Sequence, residues 1–224
     1  MLEDPNQNLY FSIASLCYDC NDCVMDAYCI DMITTLTKSI RFAEYLLLPY
    51  DGQRTELVDG KIIKMTEASP LHIDIIDFLI DLIKAHITEQ SLDLVVRTGV
   101  GVEIPRAVGP NNARDPDIVI CPSQQWKAMR DFTKAIFLMD NPPTLAVQVV
   151  SPGNQTVDTV DKRQEYALAR VPEYWIVNPI DGYVLVLVLD GDDYREVGEY
   201  REQELLESKL LSGLTVTVDR ILDP

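Results

Sequence analysis

PPTLAVQVVSP, residues 142–152, is the stretch on which the reading of this chain turns. Leu145, Ala146, Val147, Val149 and Val150 are apolar, and one amide, Gln148, sits among them. A short apolar run bounded by prolines reads as a buried strand. The pleat sets Gln148 opposite to Val147 and Val149. A buried amide with no partner costs about 1–3 kcal/mol. Gln148 therefore either meets a partner inside the fold or lines a site.

Working outward, TVDTVDKRQEYALAR (156–170) has a helical pattern, and EYWIVN, YVLVLVL and YREVGEY follow as strands. Tyr174 and Trp175 read as core. LTVTV (214–218) reads as a last strand. On the other side, LDLVVRT (92–98), GVGVEIP (99–105) and PDIVIC (116–121) are strand-like, GPNNARD (109–115) reads as a loop, and SQQWKAMRDF (123–132) as a short helix. SPLHIDIIDFLIDLIKAHI (69–87) is the clearest helix. Ser69 can cap it, Pro70 suits its first turn, and Ile75, Ile76, Leu79, Leu82 and Ile83 form its apolar stripe. TELVDGKIIKM (55–65) is a hairpin turning at Asp59-Gly60, and SIRFAEYLLLP (39–49) a short helix stopped by Pro49. This order predicts a single α/β (α+β) domain.

Apolar residues at 47% and charged residues at 25% are an ordinary globular balance. No apolar run approaches the ~20 residues of a membrane span, and the acidic N-terminus lacks the basic region of a signal peptide. A cytoplasmic protein is expected. The net charge of −17 divides as −6 over residues 1–31, −4 over 32–180 and −7 over 181–224. Acid at this level argues against loose nucleic-acid binding through lysine and arginine, but not against a local site where metal ions supply positive charge.

Residues 1–31 differ from the rest. Cys17, Cys20, Cys23 and Cys29 are spaced C-x2-C-x2-C-x5-C, and the segment has no lysine or arginine. The spacing departs from iron–sulfur runs and leaves either a zinc site or an extension with free thiols. Met32 opens a stretch of different composition. The expected division is an acidic extension over 1–31, upstream of the natural start, and a domain over 32–224.

Four residues fall where one site would need them: Glu56 at the start of the hairpin, Asp117 before the apolar IVI, Gln148 in the next buried strand, and Lys162 in the helix after it. Carboxylates can hold Mg²⁺ through hard oxygens, the metal polarises a phosphate, and a lysine offsets charge in the transition state. Each has a plainer reading. Glu56 could be a surface charge, Asp117 a strand-entry residue, Gln148 a core amide bonded to backbone, and Lys162 a helix-surface partner of Asp158 four residues before it. His72 could assist phosphate binding or lie on the helix surface. Tyr166 reads as packing or support. Arg97, Arg106 and Arg114 could contact phosphates or lie in solvated loops.

The order TELVDG, DPDIVI, LAVQVVSP, DTVDKRQEYALARVPEYWIVNP resembles the Uma-type putative restriction endonucleases of the PD-(D/E)XK nuclease superfamily, over roughly Ser39 to Leu222. Ser151-Pro152 followed by Asp158, Lys162 and Tyr166 is the most specific part. The resemblance implies a restriction endonuclease-like fold, with a central mixed sheet flanked by helices. It implies a metal-dependent endonuclease acting on nucleic acid, DNA first, with Mg²⁺ or Mn²⁺, and a homodimer. On this resemblance Glu56, Asp117, Gln148 and Lys162 are the catalytic set. Asp117, Glu56, Gln148 and the Val149 carbonyl are the metal ligands. Val150 stands where the superfamily's strand lysine usually lies, and Lys162 replaces it from the helix. Gln148 stands where the family usually has glutamate. A neutral amide should weaken metal binding, so a binding or regulatory protein on the same scaffold is the rival expectation.

Overall fold

The computed structural model describes residues 39–49 and 51–224. The cysteine cluster and residues 1–31 lie outside the described residues. No described helix is long and apolar enough to cross a membrane.

The chain opens with a short helix, α1 (Phe42–Leu46), and a hairpin, β1 (Thr55–Val58) and β2 (Lys61–Lys64). Asp59 and Gly60 both take positive φ, 52° and 73°, as a two-residue turn of this kind requires. A Cβ on Gly60 would strike the Ser39 side chain, so space as well as φ favours glycine there. The long helix α2 (Pro70–Glu89) starts as its sequence predicts: the Ser69 hydroxyl accepts from the His72 N–H, and Pro70 takes the first turn. Ile75, Leu79, Ile83 and Ile87, one helical turn apart, are its buried line, whereas Ile76 and Leu82 are only partly buried.

The remaining elements are β3 (Leu94–Arg97), β4 (Gly101–Ile104), β5 (Asn112–Arg114), β6 (Ile118–Pro122), α3 (Ser123–Ala128), β7 (Ile136–Phe137) and β8 (Leu145–Val149). A π-helical turn (Val157–Asp161) then runs into α4 (Lys162–Leu168), followed by β9 (Glu173–Asn178), β10 (Tyr183–Asp190), β11 (Asp193–Tyr200) and α5 (Val218–Leu222). They form two sheets rather than the one expected. The larger has the order β11-β10-β9-β8-β6-β3, and the smaller β2-β1-β5-β4-β7. Within each, one neighbouring pair is parallel, β8 with β9 and β4 with β7.

Two apolar layers cover the larger sheet. Leu145, Val147, Val149 and Trp175 pack with α2, Val218 and Ile221 on one face. Ala146, Val150, Tyr174 and Ile176 pack with Tyr166 and Ala167 of α4 on the other. Gln148 belongs by alternation to the α4 face, with Ala146 and Val150.

Two further expectations fail. Residues 112–114, read as loop, form β5 between β1 and β4. The LTVTV segment forms no strand. A single bridge joins Leu205 to Thr217, and Val218 starts α5. Its alternating Leu214, Val216 and Val218 are buried against the core, but no second strand lies alongside to complete a ladder. Glu173 helps to fasten this C-terminal segment. Its buried carboxylate accepts from Trp175 Nε1 at 2.7 Å and Ser208 Oγ at 2.6 Å, and from the Lys209 and Leu210 N–H groups at 3.1 and 2.8 Å. Glu173→Ala leaves these donors without an acceptor and should destabilise the fold by about 2–3 kcal/mol. Urea unfolding of the variant against the parent measures it.

Candidate active site

The smaller sheet hands the chain to the larger one through three residues, Asp115-Pro116-Asp117, between the end of β5 and the start of β6. That joint places Asp117 beside Gln148 of β8, with Glu56 of β1 and Lys162 of α4 nearby. The four residues singled out from the sequence are brought together, each less than a tenth exposed. They line a cleft of about 680 Å³, which also takes in His72, Arg114, Ser151, Asp158, Arg54 and Lys64.

The buried amide has its partners. Gln148 Nε2 donates to Asp117 Oδ2 at 2.7 Å and lies 3.5 Å from the Val149 carbonyl oxygen. Gln148 Oε1 accepts from Lys162 Nζ at 3.0 Å. A neutral side chain thus bridges a carboxylate and an ammonium. Asp117 Oδ2 also accepts from the Val149 N–H at 2.8 Å. Asp117 Oδ1 lies 3.3 Å from His72 Nε2, and His72 Nδ1 lies 3.2 Å from Ser151 Oγ.

Lys162 Nζ is also 3.1 Å from Asp158 and 3.3 Å from Glu56. Its pairing with Asp158 one turn earlier is present, but deep in the cleft rather than on the helix surface. The π-helical turn leads directly into the first turn of α4, so Asp158 and Lys162 enter the cleft together. Tyr174 Oη donates to the Asp158 carbonyl at 3.0 Å and anchors that turn to β9. Glu56 is closed by Arg114 Nη1 at 2.7 Å on one oxygen and by the Asp115 N–H at 3.2 Å on the other. Arg114 in turn donates through Nε to Glu165, which also accepts from Asn112.

At Glu56, Lys162, Asp158 and Asp115, burial and neighbouring charges pull against each other. Burial pushes the Glu56 carboxyl up, but Lys162 and Arg114 outweigh it and hold its pKa below the usual value. Burial would lower the Lys162 pKa, yet Glu56 and Asp158 raise it overall. For Asp158 burial wins over the pull of Lys162, and its pKa is raised. Asp115 is raised by burial despite Arg54. The cleft carries four basic residues, Arg54, Lys64, Arg114 and Lys162, against five acids, Glu56, Glu67, Asp117, Asp158 and Asp161. It has no strong positive field of its own for a polyanion.

Among the described residues, no group of three His, Cys, Asp or Glu side chains is placed to hold a metal ion. Of the three arginines considered from sequence, only Arg114 lines the cleft. Arg97 stacks on Trp126, and Arg106 pairs with Asp59. The role of Arg114 in closing Glu56 was hidden because its partners lie 58 and 51 residues away. Tyr166 is fully buried, packed edge-on to Tyr174.

The same fold is found in a crystal structure described as a putative nuclease belonging to DUF820, from Anabaena variabilis ATCC 29413. The two share 17% identity with a TM-score of 0.66, over 82% of this chain and 97% of that one. The two chains therefore share one α/β fold. Residues 42–219 match the Uma2 family, described as putative restriction endonuclease, and the chain belongs to that family. No curated protein matches it.

Proposed function

We propose that this protein is a metal-dependent endonuclease, hydrolysing nucleic-acid phosphodiester bonds, in a form weakened by Gln148. The observation that supports it best is the amide bridge. Gln148 ties Asp117 to Lys162, so the carboxylate and the ammonium that metal-assisted phosphodiester cleavage would use share one buried cluster.

The donors suit a hard divalent cation in kind, being carboxylate and carbonyl oxygens. Asp117, Glu56 and the carbonyl oxygens of Gln148 and Val149 are the residues that would hold Mg²⁺ or Mn²⁺, once the N–H groups now on those oxygens give way. The bound ion would polarise the phosphate and acidify a water. Lys162 would face the charge that builds on the phosphoryl oxygens. Arg54 and Lys64, in the same cleft, would position the backbone of the substrate. DNA as substrate, a homodimer and a cytoplasmic setting belong to the same proposal.

One observation favours the second reading, a binding or regulatory module. The amide presents its nitrogen, not its oxygen, to Asp117, and the cluster is satisfied as it stands. Cleavage of supercoiled plasmid and of a single-stranded oligonucleotide, with Mg²⁺ or Mn²⁺, separates the two. The endonuclease reading expects nicking by the parent and at least a hundredfold loss, about 2.7 kcal/mol of barrier, in Asp117→Ala. Silence from the parent on both substrates, with retained binding of either, supports the module.

A further inference from the structure

Asp117 presents two different oxygens. Oδ2 is filled by the Val149 N–H and the Gln148 amide nitrogen. That nitrogen also approaches the Val149 carbonyl, and the Gln148 carbonyl is held by Lys162. Both oxygens of Glu56 face N–H donors as well, from Arg114, Lys162 and Asp115. On this side of the cluster every oxygen that a cation would want already has a hydrogen on it. To use them, the Gln148 amide would have to turn over. Its NH₂ would then face the Lys162 ammonium, donor against donor.

The other oxygen, Oδ1, has one partner, His72 Nε2 at 3.3 Å, a long contact that carries a hydrogen only in the Nε2–H tautomer. Two ligands at right angles on a first-row ion, with bonds of about 2.1 Å, stand about 3.0 Å apart. The pair would need to shift by only a few tenths of an ångström. The ring is also held as a ligand would be: Ser151 Oγ sits on Nδ1, the outer-shell partner that fixes which nitrogen faces the ion. His72, Ser151 and Asp117 all line the cleft, from which water or phosphate oxygens could supply further ligands.

We propose that a divalent cation enters between Asp117 Oδ1 and His72 Nε2, and that this site takes an imidazole-binding transition ion in preference to Mg²⁺. The chemistry is that of a mixed nitrogen–oxygen pair. Mg²⁺ sheds its water reluctantly and takes oxygen, whereas a later transition ion such as Co²⁺ accepts imidazole. The proposal rests on the metal-dependent reading above and names a ligand, His72, outside the set drawn from the sequence. Gln148 causes the shift, by closing the inner oxygen and leaving the outer one.

The test is titration of the full chain with Co²⁺ and with Mg²⁺ by calorimetry, with the visible absorption of Co²⁺ reporting imidazole coordination. The parent should bind Co²⁺ at least about tenfold more tightly than Mg²⁺. His72→Ala should lose that preference and the absorption change. His72→Gln, closer in size, serves if the alanine variant folds poorly. Ser151→Ala should weaken Co²⁺ by about tenfold while keeping the spectrum. Co²⁺ binding unchanged in the His72 variants overturns the proposal. So does a parent that binds neither ion while Gln148→Glu binds both, which would return the cation to the inner side. Co²⁺ binding that follows His72 without cleavage of any substrate would keep the site and remove the nuclease reading.

Discussion

Replacing Lys162 by methionine should lower the melting temperature by roughly 6–20 °C and abolish cleavage. The Lys162 side chain is only 5% exposed and faces Gln148, Asp158 and Glu56. Its removal leaves the buried Asp158 without its cation and takes one of two cations from Glu56, at about 3–5 kcal/mol. Each kcal/mol moves the midpoint of a domain this size by about 2–4 °C. The deficit has a defined pH dependence. The Glu56 pKa is depressed by Lys162 and Arg114 against the opposing effect of burial. Its pairing therefore stabilises the fold above the usual carboxylate range and is lost as pH falls through the lowered folded value. The Lys162 pKa is raised by Glu56 and Asp158, again against burial. Its contribution is full below the usual lysine range and is lost as pH rises through the raised folded value. Both windows include neutral pH. Asp158, raised by burial, takes up a proton early as the solution is acidified. The gap between parent and variant should therefore be widest near neutral pH and narrow toward about pH 4. Thermal melts across that range read it directly, and a gap that ignores pH would assign the loss to packing rather than charge.

Gln148→Glu should make stability depend on Mg²⁺. The amide nitrogen 2.7 Å from Asp117 Oδ2 becomes an oxygen, and two carboxylates then meet where one donor and one acceptor met before. At an effective dielectric of ~20, like charges ~4 Å apart repel by about 4 kcal/mol before solvation is counted. Lys162 offsets part of this from the other side. The metal-free variant should melt several degrees below the parent. Saturating Mg²⁺ should restore it, and plasmid cleavage should rise at least about tenfold, or 1.4 kcal/mol of barrier. The parent, with N–H donors on its inner oxygens, should gain less stability from Mg²⁺ than the variant does. A variant whose melting ignores Mg²⁺ would mean that the inner oxygen of Asp117 is not a cation position. The two variants act on opposite ends of one amide, so their effects should not add.

Much of the scaffold was legible because it rests on local rules. Ser69 and Pro70 start α2, Asp59-Gly60 turns the hairpin, and the apolar runs at 145–149 and 183–189 make buried strands. Local rules misled where a segment's state depends on distant partners. Asn112–Arg114 looks polar enough for a loop, yet β1 and β4 on either side make it a strand. LTVTV alternates like a strand, yet has only one bridge.

The sequence by itself determined the residue types of the cluster: an acid before an apolar strand, an amide where a second acid would be expected, and a lysine spaced four residues from Asp158. It could also show that Gln148 needed a partner, because a lone amide in a buried strand is costly. Only the tertiary structure decided which way that amide points and what it holds. Its nitrogen lies on Asp117 and its oxygen on Lys162, contacts across 31 and 14 residues. The joint between two sheets brings Glu56 and Arg114 to the same place, and α2 brings His72 to the far side of Asp117. Hydrogen-bond direction depends on which donors and acceptors converge in space, and that convergence is a property of the packed chain rather than of any stretch within it.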